Sequence, residues 1–253
     1  MPVNKLLPEF LSKVLGHQSS ESDLVSATHA CQYWRFTLIS SPSLWNRVKV
    51  LSRRKLHRPF TYLERPKSAP TDVRVHLWLS KTRRTLKHLA FHIQRTRSLE
   101  IHGSPTNVPA TSSCLHNSIL SLQQLKFHSR KAGRFVCFPS GFFREQLSSL
   151  RSVTFDRIEA PPPFPNLMDF NLYLESMAPP RMSLLFQFLS YCPQIQKICV
   201  RVVGRPKNTP QEDAPNQIIP LETLVELEYA CSTVIPAPGC HASNNSELFL
   251  PCR

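Results

Sequence analysis

Eight cysteines and ten histidines make metal binding and thiol chemistry the first possibilities to weigh in this chain. Zinc sites usually bring paired ligands two to four residues apart, and no Cys-x-x-Cys occurs. The nearest groupings are Cys240-His241 with Cys231 and Cys252, and His88 with His92, one helical turn apart with no carboxylate between them. Neither makes a paired set, so no metal ligands and no other cofactor are expected. A glycine-rich phosphate loop and a Gly-x-Ser-x-Gly elbow are both missing. A cysteine nucleophile needs an activating neighbourhood, and Cys31, Cys114, Cys137, Cys192 and Cys199 are scattered, mostly inside apolar runs. Reduced, buried thiols and a non-catalytic protein are the expectation, with no catalytic residues.

The elements that must position these groups are short. Twenty-three prolines against six glycines describe many stiffly joined pieces rather than flexible linkers. The net charge of +14 favours acidic partners, whether a protein face, nucleic acid or an anionic membrane, and charge alone does not choose among these. No apolar run approaches the ~20 residues of a membrane span, and the first residues lack the apolar core of a signal peptide. A cytoplasmic or nuclear protein without a membrane partner is expected. Basic residues crowd Arg53 to Arg58 and recur at Lys81, Arg83, Arg84, Lys87, Arg95 and Arg97. They alternate with Leu86, Leu89, Phe91 and Ile93, which look core-facing, so a solvated basic face outweighs direct nucleic-acid binding.

The first fifty residues read as a helical unit. Pro8 suits a first helical turn, Glu9 complements its dipole, and Phe10, Leu11, Val14 and Leu15 make an apolar face that Gly16 would end. Ser20 and Asp23 resemble a capping box. Beyond them Leu24, Ala27, Thr28, Cys31, Trp34, Arg35 and Leu38 share one face, divided near Cys31. Ser40 to Ser43 then cap a further turn carrying Leu44 and Trp45. So small a unit buries little apolar surface, and periodicity alone leaves two readings: a cap on the following domain, or a plug for a partner.

The ordered set Leu6, Pro8, Glu9, Phe10, Leu11, Val14, Leu15, then Asp23-Leu24, Ala30 to Arg35 and Ser41-Pro42-Ser43-Leu44-Trp45 resembles an F-box of the fungal (basidiomycete) type. Thr61 to Pro70 is similar to a segment that follows the F-box in such proteins. Leu7 departs from the pattern, standing where the family usually has its first proline. The resemblance implies docking on a Skp-type adaptor, and through it on a cullin–RING ubiquitin ligase. The adaptor-binding residues it implies are Leu6, Leu7, Pro8, Leu11, Val14, Leu24, Trp34, Leu44 and Trp45, with Cys31 and Leu38 in the core.

Downstream, Asp72 to Leu79 alternates like a strand, and a weak repeat follows. Its anchors are Leu99-x-Ile101, Leu125-x-Phe127, Val153-x-Phe155, Phe170-x-Leu172, Ile198-x-Val200 and Leu227-x-Tyr229. Leu122, Leu150, Leu167, Ile195 and Leu224 precede five of them, and helix-like pieces lie between, at Gly141 to Leu147 and Arg181 to Tyr191. This resembles the irregular leucine-rich repeats that follow the F-box in fungal relatives, with the usual asparagine ladder mostly missing. The expected fold is α+β: a three-helix F-box at 5–50, a basic connecting segment at 51–97, a leucine-rich-repeat-like α/β solenoid at 98–235, and a disordered or uncapped tail at 236–253. The expected function is a substrate-receptor subunit for ubiquitin-dependent degradation, the repeats holding a target protein, with an acidic one hinted at by the charge. A basic solenoid that binds nucleic acid, or an interaction protein without a ligase, are the alternatives.

Overall fold

A computed structural model of the chain describes residues 7–18, 21–50, 63–66, 68–77, 82–104, 121–129, 136–137, 148–156, 158–160, 164–175, 182–203, 221–232 and 247–250. Three short helices open it: α1 (Pro8–Gln18), α2 (Glu21–Thr28) and α3 (Gln32–Ser40), followed by a 3-10 turn at Pro42–Trp45. Cys31 divides α2 from α3 as expected, and the reason is capping: its Sγ accepts the Trp34 backbone N–H at 3.5 Å. Gly16 does not end α1, which runs on to Gln18. A Cβ there would lie 3.2 Å from a Leu44 methyl, so glycine serves the close approach of α1 to the 3-10 turn. Leu24, Ala27, Leu38, Leu44 and Trp45 form the interior, with Leu15, Val25 and Trp34 against it. The Trp45 indole N–H donates to the Leu38 carbonyl at 2.8 Å, and Ser12 and Ser41 pair their hydroxyls at 3.0 Å to tie α1 to the end of α3.

The rest is a parallel β-solenoid. Its strands are β1 (Arg47–Val50), β2 (Thr71–His76), β3 (Thr96–Gly103), β4 (Gln124–Ser129), β5 (Val136–Cys137), β6 (Ser152–Asp156), β7 (Ile158–Ala160), β8 (Asp169–Glu175), β9 (Lys197–Val203), β10 (Glu226–Ser232) and β11 (Glu247–Leu250). Among the described residues one sheet runs β1-β2-β3-β4-β6-β8-β9-β10-β11, parallel throughout except for the last pair, and β5 pairs with β7 separately. The expected anchors fall in one register: Leu99, Leu125, Val153, Phe170, Ile198 and Leu227 are successive partners, and Ile101, Phe127, Phe155, Leu172, Val200 and Tyr229 likewise. All but Leu227 and Tyr229 are buried. Because side chains alternate across a strand, each anchor pair puts two apolar groups on the core face and leaves the residues between them on the other.

Three features differ from the expectation. The sheet starts at Arg47, inside the region assigned to the helical unit, because Val48 and Val50 continue the same rows through Val73 and Val75. The strand at Asp72 to Leu79 is observed as Thr71–His76. Glu247–Leu250, placed in the tail, is an antiparallel strand against β10.

Between strands lie the helices Thr82–Ala90 and Met182–Ser190, the second answering the piece expected at Arg181 to Tyr191. Leu86 and Leu89 of the first are buried, as is Ile93 beyond it, but Phe91, expected inward, is exposed. Phe188 of the second meets Phe170 at 4.7 Å and Phe164 edge-on at 6.4 Å between ring centres. The helix expected at Gly141 to Leu147 lies outside the described residues, as do Leu6, the basic run Arg53 to Arg58, and the Cys240-His241 grouping.

A polar ladder replaces the missing asparagines. Just before the leading leucine of a coil, Ser121, Asn166 and Thr223 donate to backbone carbonyls of the preceding coil: Ser121 to Gln94 and Thr96, Asn166 to Ser148, Thr223 to Pro193 and Ile195. Beside it, the carbonyls of Gln123, Arg151, Met168 and Gln196 each accept two successive N–H groups from the next coil. Backbone groups at the turns into β6, β8, β9 and β10 are satisfied this way.

Candidate functional site

Two surfaces can act on other molecules. The first is apolar. Leu7, Phe10 and Val14 recur at i, i+3 and i+7 and are 59%, 58% and 66% exposed, while Phe36 and Ile39 of α3 are 75% and 45% exposed. Side chains of this size are normally the ones a helix turns inward. Here the interior is filled by others, so these five face solvent, four on two helices that touch and Leu7 just before the first of them.

The residues expected to bind an adaptor divide sharply. Leu7, Pro8 and Val14 are on the surface, and Trp34 is half-buried. Leu11, Leu24, Leu44 and Trp45 are interior: they hold the helices together and present no surface. Leu38 is buried as expected, and Cys31 is a half-buried cap. Phe10, Phe36 and Ile39 are not among the residues expected to bind an adaptor. Spacing identifies which residues share a face, but not which of two apolar faces is turned out.

The second surface is the sheet face opposite the core, and it is polar in rows. One row runs Arg47, Asp72, Ser98, Gln124, Ser152, Asp169, Lys197, Glu226, and the next Lys49, Arg74, Glu100, Lys126, Thr154, Asn171, Cys199, Glu228. Cations and carboxylates nearly balance on it, although the whole chain is strongly basic. Many pair across strands: Arg97 with Asp72 at 3.0 Å, Arg74 with Glu100 at 2.7 Å, Lys197 with Glu226 at 2.6 Å, Arg201 with Glu228 at 2.7 Å. Glu228 also accepts from the Cys199 thiol at 3.4 Å, and these donors hold its carboxyl below the usual range. Burial, then the Glu228 carboxylate, pushes the Cys199 thiol up, so it stays protonated.

A third row holds the titratable cluster. His76, His102 and His128 sit on β2, β3 and β4, with ring centres 4.4 and 4.7 Å apart. Glu100 Oε1 lies 2.5 Å from His102 Nε2 and 3.9 Å from His128 Nε2, and Asp156 accepts from His128 Nδ1 at 2.8 Å. Burial pushes Glu100 upward, but hydrogen bonds from His102 and Arg74 outweigh it, leaving a carboxylate that ionises more readily than usual. Burial lowers His102, helped by the neighbouring His128 and opposed by Glu100, so its imidazole is neutral near pH 7. Spacing along the chain does not reveal this cluster: Glu100 and His102 are two residues apart on β3, but His76, His128 and Asp156 join them from other strands.

The class these observations define is an α+β protein in which a small helical unit leads directly into a parallel β-solenoid. No family model matches the chain, and no curated protein matches it. No helix among the described residues is long and apolar enough to cross a membrane.

Proposed function

We propose that this chain is a non-catalytic substrate-receptor subunit of a Skp–cullin–F-box ubiquitin ligase. The helical unit would be its F-box, and the solenoid's polar face would hold the target. The observation that carries this reading is the outward set Leu7, Phe10, Val14, Phe36 and Ile39 on a unit whose own interior is already filled. Aromatic and aliphatic anchors presented at helical spacing suit a groove on a partner, where a few of them supply most of the binding energy. The sequence resemblance to an F-box says which partner: a Skp-type adaptor.

The chemistry is then proximity. A target held on the solenoid stays at high effective concentration beside a ubiquitin-charged enzyme on the same scaffold. The balanced, cross-paired charges of the sheet face suit a target of mixed charge better than a uniformly acidic one, and better than a phosphate backbone.

Co-purification of the full chain with a Skp-type adaptor tests this. Phe10→Asp combined with Val14→Asp should weaken the complex at least tenfold, while the urea midpoint of the free chain stays within experimental scatter. A parent chain that captures no adaptor, or a double variant that binds undiminished, would overturn the reading. Leu11→Ala is unsuitable here, because that side chain is only 2% exposed and its loss would damage the fold.

A further inference from the structure

We infer that Glu100, His102 and His128 form a binding site for a divalent transition-metal ion of the zinc type, on the polar face of the solenoid. The donor atoms of the three residues lie within 4.8 Å of one another. In a tetrahedral site with metal–ligand distances of about 2.0–2.1 Å, neighbouring donors stand roughly 3.3 Å apart. The observed separations from Glu100 Oε1, 2.5 Å to His102 Nε2 and 3.9 Å to His128 Nε2, fall either side of that value. The His102 and His128 rings are stacked 22° from parallel, so closing on one ion takes a rotation of a ring together with shifts of about 1 Å.

The surroundings are arranged as a metal site needs. The His128 Nδ1–H donates to Asp156 at 2.8 Å, which leaves the Nε2 lone pair on the side of Glu100. A carboxylate holding the far nitrogen of a ligand histidine fixes both its tautomer and its ring orientation. His102 must move its proton from Nε2 to Nδ1, a change of tautomer that releases no proton when the imidazole is already neutral. Glu100 offers Oε1 while Arg74 holds Oε2 at 2.7 Å. The guanidinium orients the carboxylate, but its charge also opposes a cation. Three protein ligands leave a fourth position for water or for a donor on a bound molecule. The site does not depend on adaptor docking.

The test is titration of the full, metal-free chain with Zn²⁺ alone by calorimetry, and with Co²⁺ by visible absorption. One tight equivalent is expected, with Co²⁺ d–d bands of a four-coordinate site and no thiolate charge-transfer band. His102→Ala and His128→Ala should each weaken it at least tenfold, and Asp156→Asn about tenfold. Arg74→Gln should tighten it several-fold, an effect that a purely structural role for the cluster would not produce. Cadmium NMR of the unaltered chain is independent of variant folding and should report nitrogen and oxygen ligands. Absence of a tight equivalent, a thiolate signature, or unchanged affinity in a folded His102→Ala, His128→Ala double variant would overturn the inference.

Discussion

The helical unit and the solenoid solve the same problem at different scales. The solenoid stacks coil on coil, so its core runs without interruption from Val48 to Val200 and every coil buries the apolar face of its neighbour. The helical unit buries six apolar residues, Leu11, Leu24, Ala27, Leu38, Leu44 and Trp45, while five large ones, Leu7, Phe10, Val14, Phe36 and Ile39, face solvent. A core that small gives little margin over chain entropy. It leans on the solenoid through Trp45, whose ring carries the Arg65 guanidinium 4.2 Å from its centre, and through Asn46, whose carbonyl accepts the Asp72 N–H. Where apolar surface is plentiful and interior is not, apolar surface is left facing solvent. Where the interior is continuous, the outward face is free to be polar.

The largest expected effect breaks the solenoid. Phe170 is fully buried and meets Phe188, so Phe170→Ala should cost about 3–5 kcal/mol. Urea denaturation followed by circular dichroism measures it. A loss below about 1 kcal/mol would mean that the aromatic cluster is not part of a continuous core.

Next comes the contrast within α1. Leu11→Ala should cost about 2–5 kcal/mol and strip hydrogen-exchange protection from α1 to α3 while leaving β3 to β9 protected. Phe10→Ala, one residue away but 58% exposed, should stay within about 0.5 kcal/mol. Equal costs at the two positions would contradict the inside-out division of the helical unit.

That division also marks where the sequence stops being legible. The repeat anchors could be read because a strand exposes its core in a period of two, and six of them recur in order; the structure pairs all six in register. Of the two earlier coils, β2 is legible as a strand but not as part of the repeat, and β1 is too short to read. Arg-Val-Lys-Val at β1 has four residues and follows Trp45 almost directly, so it reads as the end of the helices. In α3, Trp34 and Leu38 point in while Phe36 and Ile39 point out, and both pairs are apolar. Composition cannot rank two apolar faces; packing against α1 and the 3-10 turn does. The histidine cluster was out of reach for a different reason: His102 and His128 become neighbours only after the strands are paired.

A smaller effect belongs to a thiol in the solenoid core. Burial pushes the Cys192 thiol in the solenoid core up to about 11 from its ordinary 9.0. The folded chain keeps that proton while the unfolded chain loses it, so the stabilisation is complete below pH 9 and is lost as pH rises toward 11. The loss should amount to about 2–3 kcal/mol. Urea midpoints at pH 8 and pH 10.5 should differ less in Cys192→Ala than in the parent, and an unchanged difference would refute the role of burial.

The smallest effect lies on the polar face and runs the opposite way with pH. His102 is lowered, chiefly by burial, so below its ordinary value of 6.5 the unfolded chain takes up a proton that the folded chain refuses. Stability is therefore intact above pH 6.5 and falls as pH drops toward the folded value. Glu100, also lowered, adds its stabilisation above its ordinary 4.5 and loses it further down, as pH falls through its own folded value. The two losses are separated, and only the upper one belongs to the histidine. His102→Gln should therefore flatten the change in urea midpoint between pH 7.5 and 5.5, and it should only reduce the decline below pH 4.5, because Arg74 still lowers Glu100. Because both groups are only half-buried, water screens them, and the change should be smaller than the alkaline loss at Cys192. If the variant keeps the full upper step, protons are being taken up elsewhere in the chain, and the contrast between a core that resists alkali and a face that resists acid would fail at the face.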